Sequence, residues 1–216
     1  MPKSRKNRVI DQTEPFIRER YGYAMGDELM DKIWTRYEEL CRLNKNDSKA
    51  IRRHTHSNIY PGIAMFETLL DMEDTRQDAA DFIVYCFRQR ADEMGDRIRL
   101  LLKIPGLYRK VPAIFAFGTR KFFGTNAGFE HHFYDTDKQQ VKFDMIRCPY
   151  HDICEKYGCP EIVRAFCETD ISCYGNMHPN LLWERTKTIG TGGDVCDFCI
   201  TAQIPDKNKD PEEPEE

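Results

Sequence analysis

Apolar residues recur at helical steps up to about residue 123; strand-like alternation and short helical runs share the rest of the chain. Between 14 and 43, Leu29, Ile33, Tyr37 and Leu40 form one stripe, with Met30, Trp34 and Cys41 beside it. Steps of three and four residues predict a helix there, and "NKNDS" at 44–48 stops it. A polar, basic loop with His54 and His56 leads into "IYPGIAMFETLLD" (59–71). Pro61 suits a first helical turn, so a short helix is predicted over about 61–71. Asp74 or Thr75 can cap the next helix, with Asp78 and Asp81 favourable near its start. Its apolar stripe is Ile83, Phe87, Ala91, Met94, Ile98 and Leu101, and "KIPGLY" breaks it at Pro105. Leu107, Val111, Ile114 and Phe115 step helically again over 107–123, with Pro112 in the first turn.

The pattern changes from Gly128. "FEHHFY" and "QQVKFDMIRC" flank the turn signal "DTDK" and predict a β-hairpin. "HDICEKYG" reads as a short helix ended by Gly158. Pro160 starts another that runs to about Cys173, with Ile162, Phe166 and Cys167 facing inward. "LLWERTKTI" and "VCDFCITAQI" read as strands joined by the turn "GTGGD". The predicted fold class is α+β, a four-stranded antiparallel sheet with a largely helical N-terminal half packed on it. The expected organisation is a basic flexible N-terminus (1–12), a single domain (13–205) and an acidic disordered tail (206–216). Within the domain, a helical layer runs to about 125 and a sheet and cysteine-rich layer from about 126.

Charge adds one point. The chain of 216 residues carries a formal charge of −4, and "DKNKDPEEPEE" (206–216), with six acids against two lysines, accounts for all of it. The rest balances, so no nucleic-acid partner is expected. No apolar run approaches the ~18 residues of a membrane span, and the basic N-terminus has no apolar stretch behind it as a signal peptide would. The chain therefore reads as cytoplasmic, with no membrane partner; a homodimer is compatible with the sequence.

Cysteine is the conspicuous residue. Seven of the nine lie between 148 and 199. A cytoplasmic setting and an odd count argue against a disulfide scaffold. Only Cys196 and Cys199 have Cys-x-x-Cys spacing, and both fall on a predicted strand, where positions three apart diverge. No metal and no cofactor are expected; Cys148 with His151 can supply ligands, but nothing supplies a fourth. Cys41, Cys86, Cys173 and Cys199 read as core residues. Cys148 precedes a helix, a position that favours a thiolate. Cys167 and Asp170 are three apart on one helix face, and Cys196 follows the glycine turn. These elements can meet at the open end of the sheet. "GTGGD" itself lacks the Lys-Ser/Thr of a phosphate loop and precedes a strand.

"RCPYHDICEKYGCPEIVRAFCETD" followed by "HPNLLWERTKTIGTGGDVCDFCI" resembles the L-2-amino-thiazoline-4-carboxylic acid hydrolase family. The resemblance rests on Cys148-Pro149-Tyr150, Gly158, Pro160-Glu161, Phe166-Cys167, Asp170, Arg185-Thr186, the glycines at 190–193 and Cys196-Asp197-Phe198. "IYPGIAMFETLL" is similar more weakly. A fainter likeness links "AFCETDISCYGNM" and "GTGGDVCDFCI" to 4-vinyl reductase-type ligand-binding domains, which are α+β.

The resemblance implies a hydrolase that opens a cyclic amidine-like C=N system at carbon 2 of a 2-aminothiazoline carboxylate, a small-molecule substrate, giving an N-carbamoyl cysteine. Cys167 or Cys148 would be the nucleophile, or a water would take that part. Asp170 would orient the water, shuttle the proton or pair with the amidine. Arg185 would grip the substrate carboxylate with both prongs, and Thr186, Cys196 and Tyr150 would line the pocket. Two other classes stay open: a non-catalytic binding or sensing module of the same fold, and a metal- or cofactor-bound variant.

Overall fold

A computed structural model describes residues 5–73 and 75–203. The stretch 206–216 lies outside them, as does Asp74. The long central helix is capped by Thr75, whose hydroxyl accepts from the Asp78 amide at 3.1 Å.

The first helix, α1 (Arg8–Tyr21), begins inside the stretch expected to be a flexible arm. Asn7 is the cause. Its Oδ1 accepts from the Val9 and Ile10 amides at 2.9 and 3.2 Å, while its Nδ2 donates to the His56 carbonyl at 2.7 Å. Satisfying the first free amides starts the helix, and Val9, Ile10 and Ile17 are buried along it. Gly22, at φ 80°, then interrupts what the periodicity predicts as one helix over 14–43, so α2 (Tyr23–Leu43) is separate. Glycine reaches that φ without the clash a Cβ would bring.

The loop expected around His54 and His56 is helical as well. α3 (Lys49–His54) continues through a π-helical turn, Thr55–Ile59, into α4 (Tyr60–Leu69). Polarity misled the reading here, because His54 and Thr55 are buried and satisfied by hydrogen bonds. α4 buries Ile63, Ala64, Met65 and Phe66 in succession, as a helix inside a helical layer must.

α5 (Arg76–Leu101) is the longest element. Ile83, Phe87 and Ala91 of its predicted stripe are buried, but Met94 and Leu101 are exposed. α6 (Val111–Phe122) leads to the sheet, made of β1 (Glu130–Phe133), β2 (Gln140–Arg147), β3 (Leu181–Glu184) and β4 (Cys196–Ala202). Its order is β1-β2-β4-β3, antiparallel throughout. The β2–β4 register sets Met145 opposite Cys196 and Phe143 opposite Phe198. Between β2 and β3 come α7 (Pro149–Lys156) and α8 (Val163–Tyr174). α8 packs closely on α5: the Ser172 carbonyl lies 2.8 Å from where a Cβ on Gly95 would stand.

The fold is α+β, with the helices mostly N-terminal. The last connection departs from expectation. β3 ends at Glu184 rather than running on to Ile189, and a short 3-10 turn, Ile189–Thr191, replaces a tight hairpin. Asp197 causes this by accepting from the Thr186 and Lys187 amides at 2.9 and 2.8 Å, which takes these donors out of strand pairing. Two apolar cores result, one among the helices and one beneath the sheet, and Tyr150 packs against both. Among the described residues no helix is long and apolar enough to cross a membrane.

Candidate active site

Where α5, α7 and α8 meet the ends of β2 and β4, a cavity of about 360 Å³ opens. Phe87, Phe123, Phe129, Phe166 and Phe198 form much of its wall. Apolar surface predominates over polar in its lining, which suits a site for a small, partly apolar molecule.

Six of the seven residues singled out from sequence line this cavity: Cys148, Tyr150, Cys167, Asp170, Arg185 and Cys196. Thr186 is not among them. It is exposed, and its hydroxyl donates to Asp197 at 2.5 Å. The early end of β3 has opposite effects on these two neighbours: it turns Arg185 towards α8 and leaves Thr186 on the outside.

Arg185 is committed. It donates from one terminal nitrogen to Asp170 Oδ2 at 2.8 Å and from the other to the Cys167 carbonyl at 2.9 Å. Its guanidinium lies 5.3 and 5.4 Å from the ring centres of Trp183 and Phe198, and only 4% of its side chain is exposed. The two-pronged grip expected on a substrate carboxylate therefore falls on the protein itself.

Asp170 is the most informative group. Burial raises its pKa to about 6, and the Arg185 charge and hydrogen bond hold it from rising further. About a third of its side chain is nevertheless open, and it lines the cavity. Among the described residues only Oδ2 is engaged, which leaves Oδ1 able to accept a proton. A carboxyl balanced near neutrality in a mostly apolar cavity is suited to moving protons.

The thiols are shifted the other way from an activated nucleophile. Cys148 occupies the N-cap position of α7, as expected, yet burial pushes it up to about 12. The backbone amides of His151 and Tyr150 act against this and are outweighed. Burial lifts Cys167 to about 11 and raises Cys196 too, whose sulfur accepts from the Ile189 amide at 3.3 Å. The helix-end argument for a Cys148 thiolate is thus overturned by desolvation. Among the described residues no group of three His, Cys, Asp or Glu side chains could hold a metal ion.

Tyr150 is held by a short network. His54 Nε2 lies 2.9 Å from the Phe122 carbonyl, an acceptor, so Nε2 bears the hydrogen. Nδ1 is then the acceptor for the Tyr150 hydroxyl at 3.3 Å, and Asn58 Nδ2 donates to that hydroxyl at 3.4 Å. Asn58 sits in the π-helical turn, a feature often found at working sites.

Sequence reasoning missed four polar lining residues: Arg8, Asn58, Arg90 and Thr169. Arg90 carried a signal, since it stands three residues after Phe87 on the apolar side of α5. Arg8 and Asn58 had none, because a helix start and a π turn in a polar stretch leave no periodic mark.

Residues 52–200 match the sequence model of a family described as L-2-amino-thiazoline-4-carboxylic acid hydrolase. That span holds every cavity-lining residue except Arg8. No curated protein matches the chain.

Proposed function

This chain belongs to the L-2-amino-thiazoline-4-carboxylic acid hydrolase family, and from that premise we propose that it opens the ring of a 2-aminothiazoline carboxylate or a close relative, with Asp170 as the proton-transferring group. The single observation that carries the reading is Asp170 itself, with its pKa near 6 and Oδ2 tied to Arg185 on the cavity wall. A water rather than a thiolate is the nucleophile in this reading, since Cys148 and Cys167 hold their protons at neutral pH.

The steps follow from those protonation states. The amidine enters protonated, its charge facing the Asp170 carboxylate. Water oxygen bonds to carbon 2 as the C=N double bond becomes single, and one water proton goes to Asp170. The C–S bond then breaks, and the sulfur leaves with its bonding pair and takes the proton from Asp170. The remaining hydroxyl loses its proton to solvent as the carbonyl forms, which returns the proton that the amidine brought in and leaves an N-carbamoyl cysteine with Asp170 ionised again. Arg185 acts throughout as a positioning residue that keeps Asp170 oriented and its pKa from climbing.

Turnover is measurable directly, because ring opening frees one thiol per substrate. The unmodified protein is expected to release thiol from 2-aminothiazoline-4-carboxylate, and Asp170→Asn to lose about 10²–10⁴-fold of that rate while keeping its fold. Elevated thiols also fit a binding module that does no chemistry. Binding of the compound without thiol release would favour that reading over the hydrolase.

A further inference from the structure

Arg185 is occupied, so a carboxylate bound in the cavity needs another cation. We propose that Arg90, helped by Arg8 at the rim, is the anion subsite of this cavity and takes the carboxylate of the ligand. The proposal rests on the reading of the cavity as a substrate site and names the end of the substrate that α5 recognises.

Arg90 lies on α5 between Phe87 and Ala91, both of which line the same wall. Its Nε donates to Gln12 Oε1 at 2.9 Å, which fixes the plane of the guanidinium. The two terminal nitrogens make no hydrogen bond to any described residue and are not sealed from solvent. They are the two prongs that match the two oxygens of a carboxylate. Arg8 lines the cavity as well, and its charge disfavours the charge on Arg90. Burial acts on Arg90 in the same direction, and no carboxylate of a described residue forms an ion pair with either arginine. Two guanidinium groups that line one cavity, neither of them ion-paired with a described residue, are a repulsive arrangement that an anionic ligand relieves.

The opposite polarity is present in the same space. Asp170 lines the cavity too, and both Asp170 and Arg90 act electrostatically on the Tyr150 phenol. The cavity therefore offers a negative group for a cationic amidine and a positive pair for a carboxylate, the charge pattern of a small zwitterion. Arg8 and Gln12, which complete and brace the positive end, come from α1, outside the family-matched span of 52–200.

The test compares two ligands that differ by the carboxylate, 2-aminothiazoline-4-carboxylate and 2-aminothiazoline, by calorimetric titration. The unmodified protein is expected to prefer the first by at least about tenfold. Arg90→Gln should weaken the carboxylate by about 10–100-fold and leave the plain heterocycle within about twofold, so the preference disappears. Arg8→Gln should lower the preference by a few-fold, as expected of a group at the solvent-open rim. Equal loss for both ligands in Arg90→Gln, or no preference in the unmodified protein, overturns the subsite. If Arg90→Gln does not fold, Arg8→Gln must show the selective loss alone, and its absence overturns the proposal. An Arg90-dependent preference without ring opening leaves the subsite standing and removes the hydrolase. Ring opening with a preference indifferent to Arg90 does the reverse.

Discussion

Asp170 ties the activity to pH. As a base it must be ionised, so turnover should fall as pH drops through about 6, the value to which burial raises it. Arg185 favours the ionised form, so Arg185→Met should move that midpoint upward; a pH profile of initial rates reads both effects. An unmoved midpoint in Arg185→Met would assign the titration to another group. The thiols supply a second check. At about 11, Cys167 holds at pH 7 about 100-fold less thiolate than a cysteine at its ordinary 9, so alkylation by iodoacetamide should be slow at pH 7 and accelerate only in strong alkali. Fast labelling of Cys167 would revive the covalent route. The sequence marked these residues as neighbours through spacing on α8 and the likeness to a family. It did not carry their protonation, because burial is set by what packs over a residue from elsewhere in the chain. Cys148 illustrates this: a helix start predicts a low pKa, and desolvation reverses it.

The cavity wall depends on a few close approaches between elements. Gly190, inside the 3-10 turn that precedes β4, has Val163 Cγ1 and Cys167 Sγ 2.5 and 2.9 Å from where a Cβ would stand. Gly190→Ala should push α8 outward, with about 1–3 kcal/mol lost in chemical denaturation and the Cys167–Asp170 face displaced. The "GTGGD" stretch was legible as a turn and not as a phosphate loop. Its role as a close-packing point against α8 was not, since the partner lies more than twenty residues away in sequence. The same limit explains β3. Its pattern reads as strand to Ile189, but Asp197 captures two amides and bends the chain away. The start of α5 was legible, because Thr75 needs only its own neighbour Asp78 to cap it.

For the molecule as a whole, α1 is the element to probe. Ile10 and Ile17 are fully buried in the helical core, so truncating either to Ala should cost about 2–4 kcal/mol in equilibrium denaturation. A change under about half a kcal/mol, typical of surface positions, would mean that α1 does not dock in solution. Read alone, the sequence determined the elements whose causes are local. The helical periods of α2 and α5, the β1–β2 hairpin, the α+β class and the residues on one face of α8 all follow from side chains within a turn or two of each other. The tertiary structure alone decided what those residues face. It started a helix at Arg8, inside the stretch expected to be a flexible arm, because Asn7 reaches the His56 carbonyl far along the chain, committed Arg185 to Asp170, and left the two terminal nitrogens of Arg90 without a hydrogen bond to any described residue beside the cavity. Each depends on groups distant in sequence meeting in a region of low dielectric. There the cost of an unpaired charge or donor determines the partners, and no local pattern encodes that cost.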